Sequence, residues 1–418
     1  MKNLTNKSLL AIAIAVGLSS TAFADGNSAH VEQVSAMGTA TEQVAIVAQA
    51  GVANSAQVTQ VGEAQRVDVS QQGLFSSSQV NSAGIANRVA ISQVGESNFI
   101  EIDVSGVNNL SETSQDGLYN AAAFYVEGEG NRGYIKQSGE GNYAVMYEEG
   151  SPYRNQGNGN VLDVAQDGLG NYSLAKNIVG DSNSFVVTQS GSFNQTELTN
   201  LEGSGNYVEM TQNGEGNMSR LDMAAGDANS FNVMQDGVDN VVGAPNVALL
   251  RGYANDVDVW QVGEANGNNL AVIGDANRVE NYQGGVANQA NIAVTGSDNY
   301  VGVGQYREGR NQTSVAVLGE NNYAITWAFG SENQVAIGQV GELNMVQLLV
   351  DGANNQVNLA QMGTGNGVDM FEVDGRDNYL ELSQVGNGNM LNGSQAGSLN
   401  AAVVTQVGEG NVATITQN

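Results

Sequence analysis

The tetrapeptide Gly-x-x-Asn recurs along this chain at a spacing of mostly eleven residues, with occasional twelves, and no other feature limits the possible folds so strongly. It appears at Gly51–Asn54, Gly95–Asn98, Gly117–Asn120, Gly139–Asn142 and Gly191–Asn194, and again at Gly263–Asn266, Gly341–Asn344, Gly386–Asn389 and Gly408–Asn411. Eleven residues cannot hold two helices and a loop, but they fit one short strand and one tight turn. Glycine supplies the positive φ of the turn, and asparagine tolerates left-handed backbone while its amide bonds neighbouring peptide groups. Gly51, Gly95, Gly117, Gly139, Gly191, Gly263, Gly341, Gly386 and Gly408 are therefore read as turn residues.

Between the turns, apolar and polar residues alternate with period two, as in a strand with one buried face. In the stretch Asn98 to Val104, the residues Asn98, Ile100, Ile102 and Val104 share one face, and Glu101 and Asp103 the other. A slower alternation overlies this one. The residue two before the glycine is Gln in one unit (Gln93, Gln115, Gln137) and apolar in the next (Val104, Val126). The expected fold is thus an all-β solenoid of cross-β type, with about 16 two-strand rungs of roughly 22 residues, strand-turn-strand, one arc rich in amides and the other mostly apolar. Breaks in spacing near Gly150 to Gly157, Gly237 to Gly252 and Arg307 to Asn311 predict bulges or small loops.

Stacked identical amides can hydrogen-bond from rung to rung, which gives inward Gln and Asn a structural purpose. The residues expected in the amide ladder, each stacking on its equivalent one rung away, are Gln49 and Asn54, Gln93 and Asn98, Gln115 and Asn120, Gln137 and Asn142, Gln166 and Asn171, Gln189 and Asn194, and Gln212 and Asn217. It continues through Gln235 and Asn240, Gln261 and Asn266, Gln283 and Asn288, Gln339 and Asn344, Gln361 and Asn366, Gln384 and Asn389, and Gln406 and Asn411. The chain ends in phase, with Asn411, Ala413, Ile415 and Gln417 expected inward and no obvious cap on the last rung.

The first residues read as a secretory signal. Lys2 and Lys7 precede an apolar run from Leu9 to Leu18, and Ala22 and Ala24 are small, so cleavage is expected between Ala24 and Asp25. No later run is long and apolar enough for a membrane helix. The chain has no cysteine and only 2 prolines against 54 glycines, so stability must come from backbone pairing and packing. A formal charge of −29 disfavours nucleic acid and anionic lipid as partners.

The run Gln49-Ala50-Gly51-Val52-Ala53-Asn54-Ser55-Ala56-Gln57, followed by Gln60, resembles the repeats of the curli family, and the stretch from Gln43 is similar to the start of its minor, nucleating subunit. The resemblance covers about Gln43 to Gln417. It implies a secreted functional amyloid, subunit or nucleator of extracellular fibres for adhesion and biofilm, at the surface or in the matrix of a Gram-negative bacterium. Its implied partners are further copies, other curli subunits and an outer-membrane secretion channel, with residues 25–42 as the export segment and 43–418 as the repeat domain. Two departures are the large number of rungs and the apolar residues replacing Gln at Val104, Leu201, Val294 and Val350.

Sharper chemical readings fare worse. Gly128 to Gly133 spells G-x-G-x-x-G without a surrounding βαβ pattern, so no dinucleotide or other cofactor is expected. Asn194-Gln195-Thr196 and Asn217-Met218-Ser219 match the glycosylation sequon, but inward residues two apart produce that match automatically. His30 is the only histidine and precedes the repeats, which leaves neither a histidine triad nor a multi-histidine metal site, and the short turns offer no catalytic loops. The acids Asp181, Asp227, Asp275 and Asp298 read as solvated turn charges better than as calcium ligands. Outward aromatics after the turns, Phe99, Tyr143, Tyr172, Tyr207, Tyr300, Tyr323 and Tyr379, are first of all strand-surface packing. They also leave open a monomeric or surface-displayed adhesin that binds glycan or protein along a flat face.

Overall fold

A computed structural model describes residues 11–16, 26–35, 43–146, 155–243 and 248–418. The expected cleavage site at Ala24 and Asp25 lies outside the described residues, as do residues 36–42 of the expected export segment. The chain divides into two units, Met1–Gly205 and Asn206–Asn418. Each is a parallel β-solenoid, and no helix occurs among the described residues. Together they make about 16 turns of about 22 residues.

The rung is the expected pair of strands. In unit 1, Arg66–Leu74 pairs in parallel with Arg88–Glu96, and that strand with Leu110–Leu118, each time placing like on like: Gln71 on Gln93, Gly73 on Gly95. The intervening strands, Ser77–Ile85 and Phe99–Val107, pair with each other in a second sheet. Alternate side chains from each of the two sheets meet in the middle. Val89, Ile91, Ile100, Ile102 and Val104 are all at most 4% exposed. Each such Val or Ile contributes about 1.5–3 kcal/mol by leaving water. The core is fitted as well as apolar: a Cβ at Gly133 would run into the ring of Phe124, so the smallest residue faces one of the largest.

Unit 2 repeats this plan and places the irregularities. The twelve-residue spacings Gly168 to Gly180, Gly191 to Gly203 and Gly214 to Gly226 sit in the second sheet. There the extra residue splits a strand, as in Tyr172–Ala175 followed by Ile178–Val179, and Gln195–Leu198 followed by Leu201–Glu202. Near Gly237 to Gly252, the short strands Val241–Val242 and Leu249–Arg251 both pair with Gly267–Ile273. A bulge lies between Tyr306 and Gly309, within the expected break. Another lies between Asp369 and Glu372, where Met370 takes φ 43° and points into solvent, and it takes up the extra residue of the twelve-residue spacing from Gly363 to Gly375.

Two segments before the repeat also pair. Ser28–Ser35, inside the expected export segment, lies parallel to Ser55–Glu63, with Gln33 over Gln60. Ala11–Val16, from the apolar run, lies parallel to Val44–Gln49.

Candidate functional site

The turns and the amides beside them form one repeating device. In the arc Gly95-Glu96-Ser97-Asn98, Gly95 has φ 115° and Ser97 φ 56°. The left-handed residue is therefore the one before the asparagine, not the asparagine itself, and Ala53, Tyr119, Ala265 and Leu343 hold the same place. The reason is that Asn must turn its side chain inward to bond the arc. Asn98 is 1% exposed, and its Nδ2 donates to the Val94 carbonyl at 3.0 Å and to the Gly117 carbonyl of the next rung at 2.9 Å. Its Oδ1 accepts from the Asn120 backbone N–H at 3.0 Å. A Cβ on Gly95 would be driven into the Gly117 carbonyl oxygen, so glycine is required by the stacking distance as well as by φ.

Glutamine repeats the logic inside the arc. Gln93 Nε2 donates to Gln115 Oε1 at 3.0 Å and to the Ser77 carbonyl at 3.1 Å across the rung. In unit 1 the chain of donations runs from Gln49 through Gln71, Gln93, Gln115, Gln137 and Gln166 to Gln189. In unit 2 it runs from Gln212 through Gln235, Gln261 and Gln283 to Gln305. A second run then joins Gln339, Gln361, Gln384 and Gln406.

That second run is on the other sheet. Gln305 lies in Tyr300–Gly309, whose partner strand sets Ala328 beside it, followed by Val350 and Val373. Gln339 lies in Gln334–Glu342, beneath Val317. The amide-rich and apolar arcs thus exchange faces within unit 2, and the residues expected to form one ladder form separate ones. The asparagines continue in both arcs throughout, as with Asn266 to Asn288 and Asn344 to Asn366. Gln71, Gln305 and Gln395 also belong to these ladders, with Gln395 donating to Gln417 at 2.7 Å. Counting 22 residues on from Gln49, Gln283 and Val373 finds all three; Gln305 is hidden by the bulge that separates it from its glycine.

Every ladder has a direction. In the glutamine ladder each Nε2 donates to the Oε1 of the next higher rung, whereas along the asparagine ladder Nδ2 donates both up, to a glycine carbonyl, and down, to the Oδ1 of the rung before, so that each Asn Oδ1 accepts from above. At the last described strands, Ala401–Glu409 and Val412–Gln417, a partner strand lies on one side only among the described residues. Val403, Val407 and Val412 are exposed there, and the inward Ala413, Ile415 and Gln417 are half-exposed.

The remaining candidates take structural places. Asn194, Thr196, Asn217 and Ser219 of the two sequons are fully buried. Asp181 Oδ1 accepts the Asn158 N–H at 2.7 Å and Asp275 Oδ1 the Tyr253 N–H at 2.9 Å, so these turn acids cap the preceding arc. No group of three His, Cys, Asp or Glu suited to a metal occurs among the described residues, and His30 is exposed on its strand. Outward aromatics stack between rungs, Tyr143 on Tyr172 at 5.3 Å and Tyr300 on Tyr323 at 5.1 Å. Comparison of the chain with protein-family models and with curated proteins gives no match.

Proposed function

We propose that this chain is a structural protein that adds copies end to end through its strand edges, a secreted curli-like subunit or nucleator of extracellular fibres. The observation that carries the reading is the directional amide ladder. The last described rung presents the Gln417 amide, the Asn411 Oδ1 and a strand edge paired on one side only among the described residues, the same groups that each internal rung offers to the next. Because Gln Nε2 donates only upward along its ladder and Asn Oδ1 accepts only from above, a second copy continues both ladders only when it adds head to tail. The proposed location is outside the cell, reached through the leader read from residues 1–24, and the proposed partners are further copies and a secretion channel. No catalytic role is proposed.

The test is polymerisation of the full chain. It should assemble after a lag, shorten that lag when seeded with its own fibres, and give a meridional reflection at ~4.7–4.8 Å. Persistence as a monomer at high concentration for days would refute fibre formation and leave the non-polymerising, surface-displayed adhesin.

A further inference from the structure

The outward face of one sheet in unit 2 carries a groove of about 650 Å³, within the ~300–1,000 Å³ usual for ligand sites. The chain has 2 tryptophans, and both line it: Trp260 is 45% and Trp327 47% exposed. Gly302 and Gly304 lie in the floor, and both are buried: the missing side chain at Gly304 lets the Trp327 indole and the Tyr306 ring lie against the backbone. Tyr282 stands beside Trp260 with ring centroids 5.3 Å apart and beside Tyr306 at 4.8 Å, so the wall is a continuous aromatic surface spanning three rungs.

The polar groups are fixed in place. Glu280 accepts the Tyr300 hydroxyl at 2.7 Å and the Arg278 guanidinium through its other oxygen, and Asp258 accepts the Asn232 amide at 2.9 Å. With Glu209, that makes three carboxylates in the lining and no lysine or arginine. The fold does not demand such a lining. In unit 1 a groove of about 560 Å³ on a sheet face is floored by Ala48, Ser70, Ala90, Ser92 and Ser114, with no tryptophan. Two half-exposed indoles on a solvent face cost hydration that unit 1 avoids, and an aromatic ligand-contact surface accounts for them.

We infer that this groove binds an uncharged pyranose chain. The C–H faces of sugar rings cover the indole and phenol rings, the held carboxylates accept sugar hydroxyls, and a lining with three acids and no cation of its own, Arg278 being engaged by Glu280 at its edge, disfavours uronate and sulfated chains. The site lies within unit 2, so it does not depend on fibre formation.

The test uses the full chain and two uncharged probes, chitohexaose and cellohexaose, with polygalacturonate as the anionic control. Both tryptophans are in the groove, so their emission reports occupancy directly. At least one hexamer should shift or quench that emission saturably while polygalacturonate does not. Trp327→Ala, read through Trp260, should weaken binding by about tenfold or more, and Trp327→Phe should restore much of it. The inference is overturned if neither hexamer changes the emission, if polygalacturonate binds as well as they do, or if Trp327→Ala binds unchanged. Loss of polymerisation with retained binding would count against the fibre proposal alone.

Discussion

Replacing Gln115 by Met keeps the length and volume of the side chain and removes only its amide, so it isolates what the ladder contributes. Gln115 Nε2 donates to Gln137 Oε1 at 2.8 Å and to the Phe99 carbonyl at 2.9 Å, while its own Oε1 accepts from Gln93 at 3.0 Å. Gln93 keeps its bond to the Ser77 carbonyl, but Gln137 Oε1 is left buried without a donor. An orphaned buried acceptor costs about 1–3 kcal/mol and a lost hydrogen bond about 0.5–1.5, so Gln115→Met should cost about 2–4 kcal/mol. Gln406→Met supplies the contrast. Gln406 accepts from Gln384 and donates only to the Met390 and Asn411 carbonyls, so no Oε1 is orphaned, and Gln384 keeps its bond to the Gly367 carbonyl. Its cost should be about 1–2 kcal/mol. Solenoids open locally, so the readout is amide hydrogen exchange of the strands flanking each substitution. Equal losses of protection at the two sites, or a cost below about 1 kcal/mol at Gln115, would refute the claim that stacking stabilises through mutual satisfaction of the amides.

Two further outcomes follow from unit 2. Asn281 is inward, between Val259 and Val303 in register, with both amide atoms buried and unpaired, so Asn281→Val should raise local stability by about 1–3 kcal/mol in the same exchange experiment. The Tyr300 phenol is pushed from its ordinary 10.0 up to about 12 by burial and by its bond to Glu280. A raised folded value means that the neutral phenol is favoured in the native state, so its stabilisation is complete below pH 10 and is lost as pH rises toward about 12. Spectrophotometric titration should show this tyrosinate forming late, and Glu280→Gln should bring it earlier.

Much of this architecture is legible before any coordinates. The parity of Asn98, Ile100, Ile102 and Val104, and the glycine at each corner, follow from local rules, because a strand has a side-chain period of two and only glycine accepts both the φ and the closeness of the next arc. The ladder amides are legible for the same reason, since anything repeated every rung must stack. Less visible is which backbone position turns left-handed. The structure gives it to Ser97 and its equivalents, because Asn is committed to bonding inward.

Other features depend on how separated rungs are brought together. The amide arc changes sheets between Gln305 and Gln339 because the two successive units at Val317 and Ala328 both lack Gln, while a bulge shifts the count beside them, so parity alone assigns these residues to one continuous series. Trp260 and Trp327 belong to unremarkable outward positions when read along the chain. They share a groove because 22-residue rungs place distant residues a strand spacing apart, and because the missing side chain at Gly304 lets the Trp327 indole lie down against the strand. The sequence by itself determined the rung, its corners and its inward face, all of which are set by neighbours along the chain. The face exchange and the aromatic groove were decided only by the stack, since they depend on which rungs become neighbours across it.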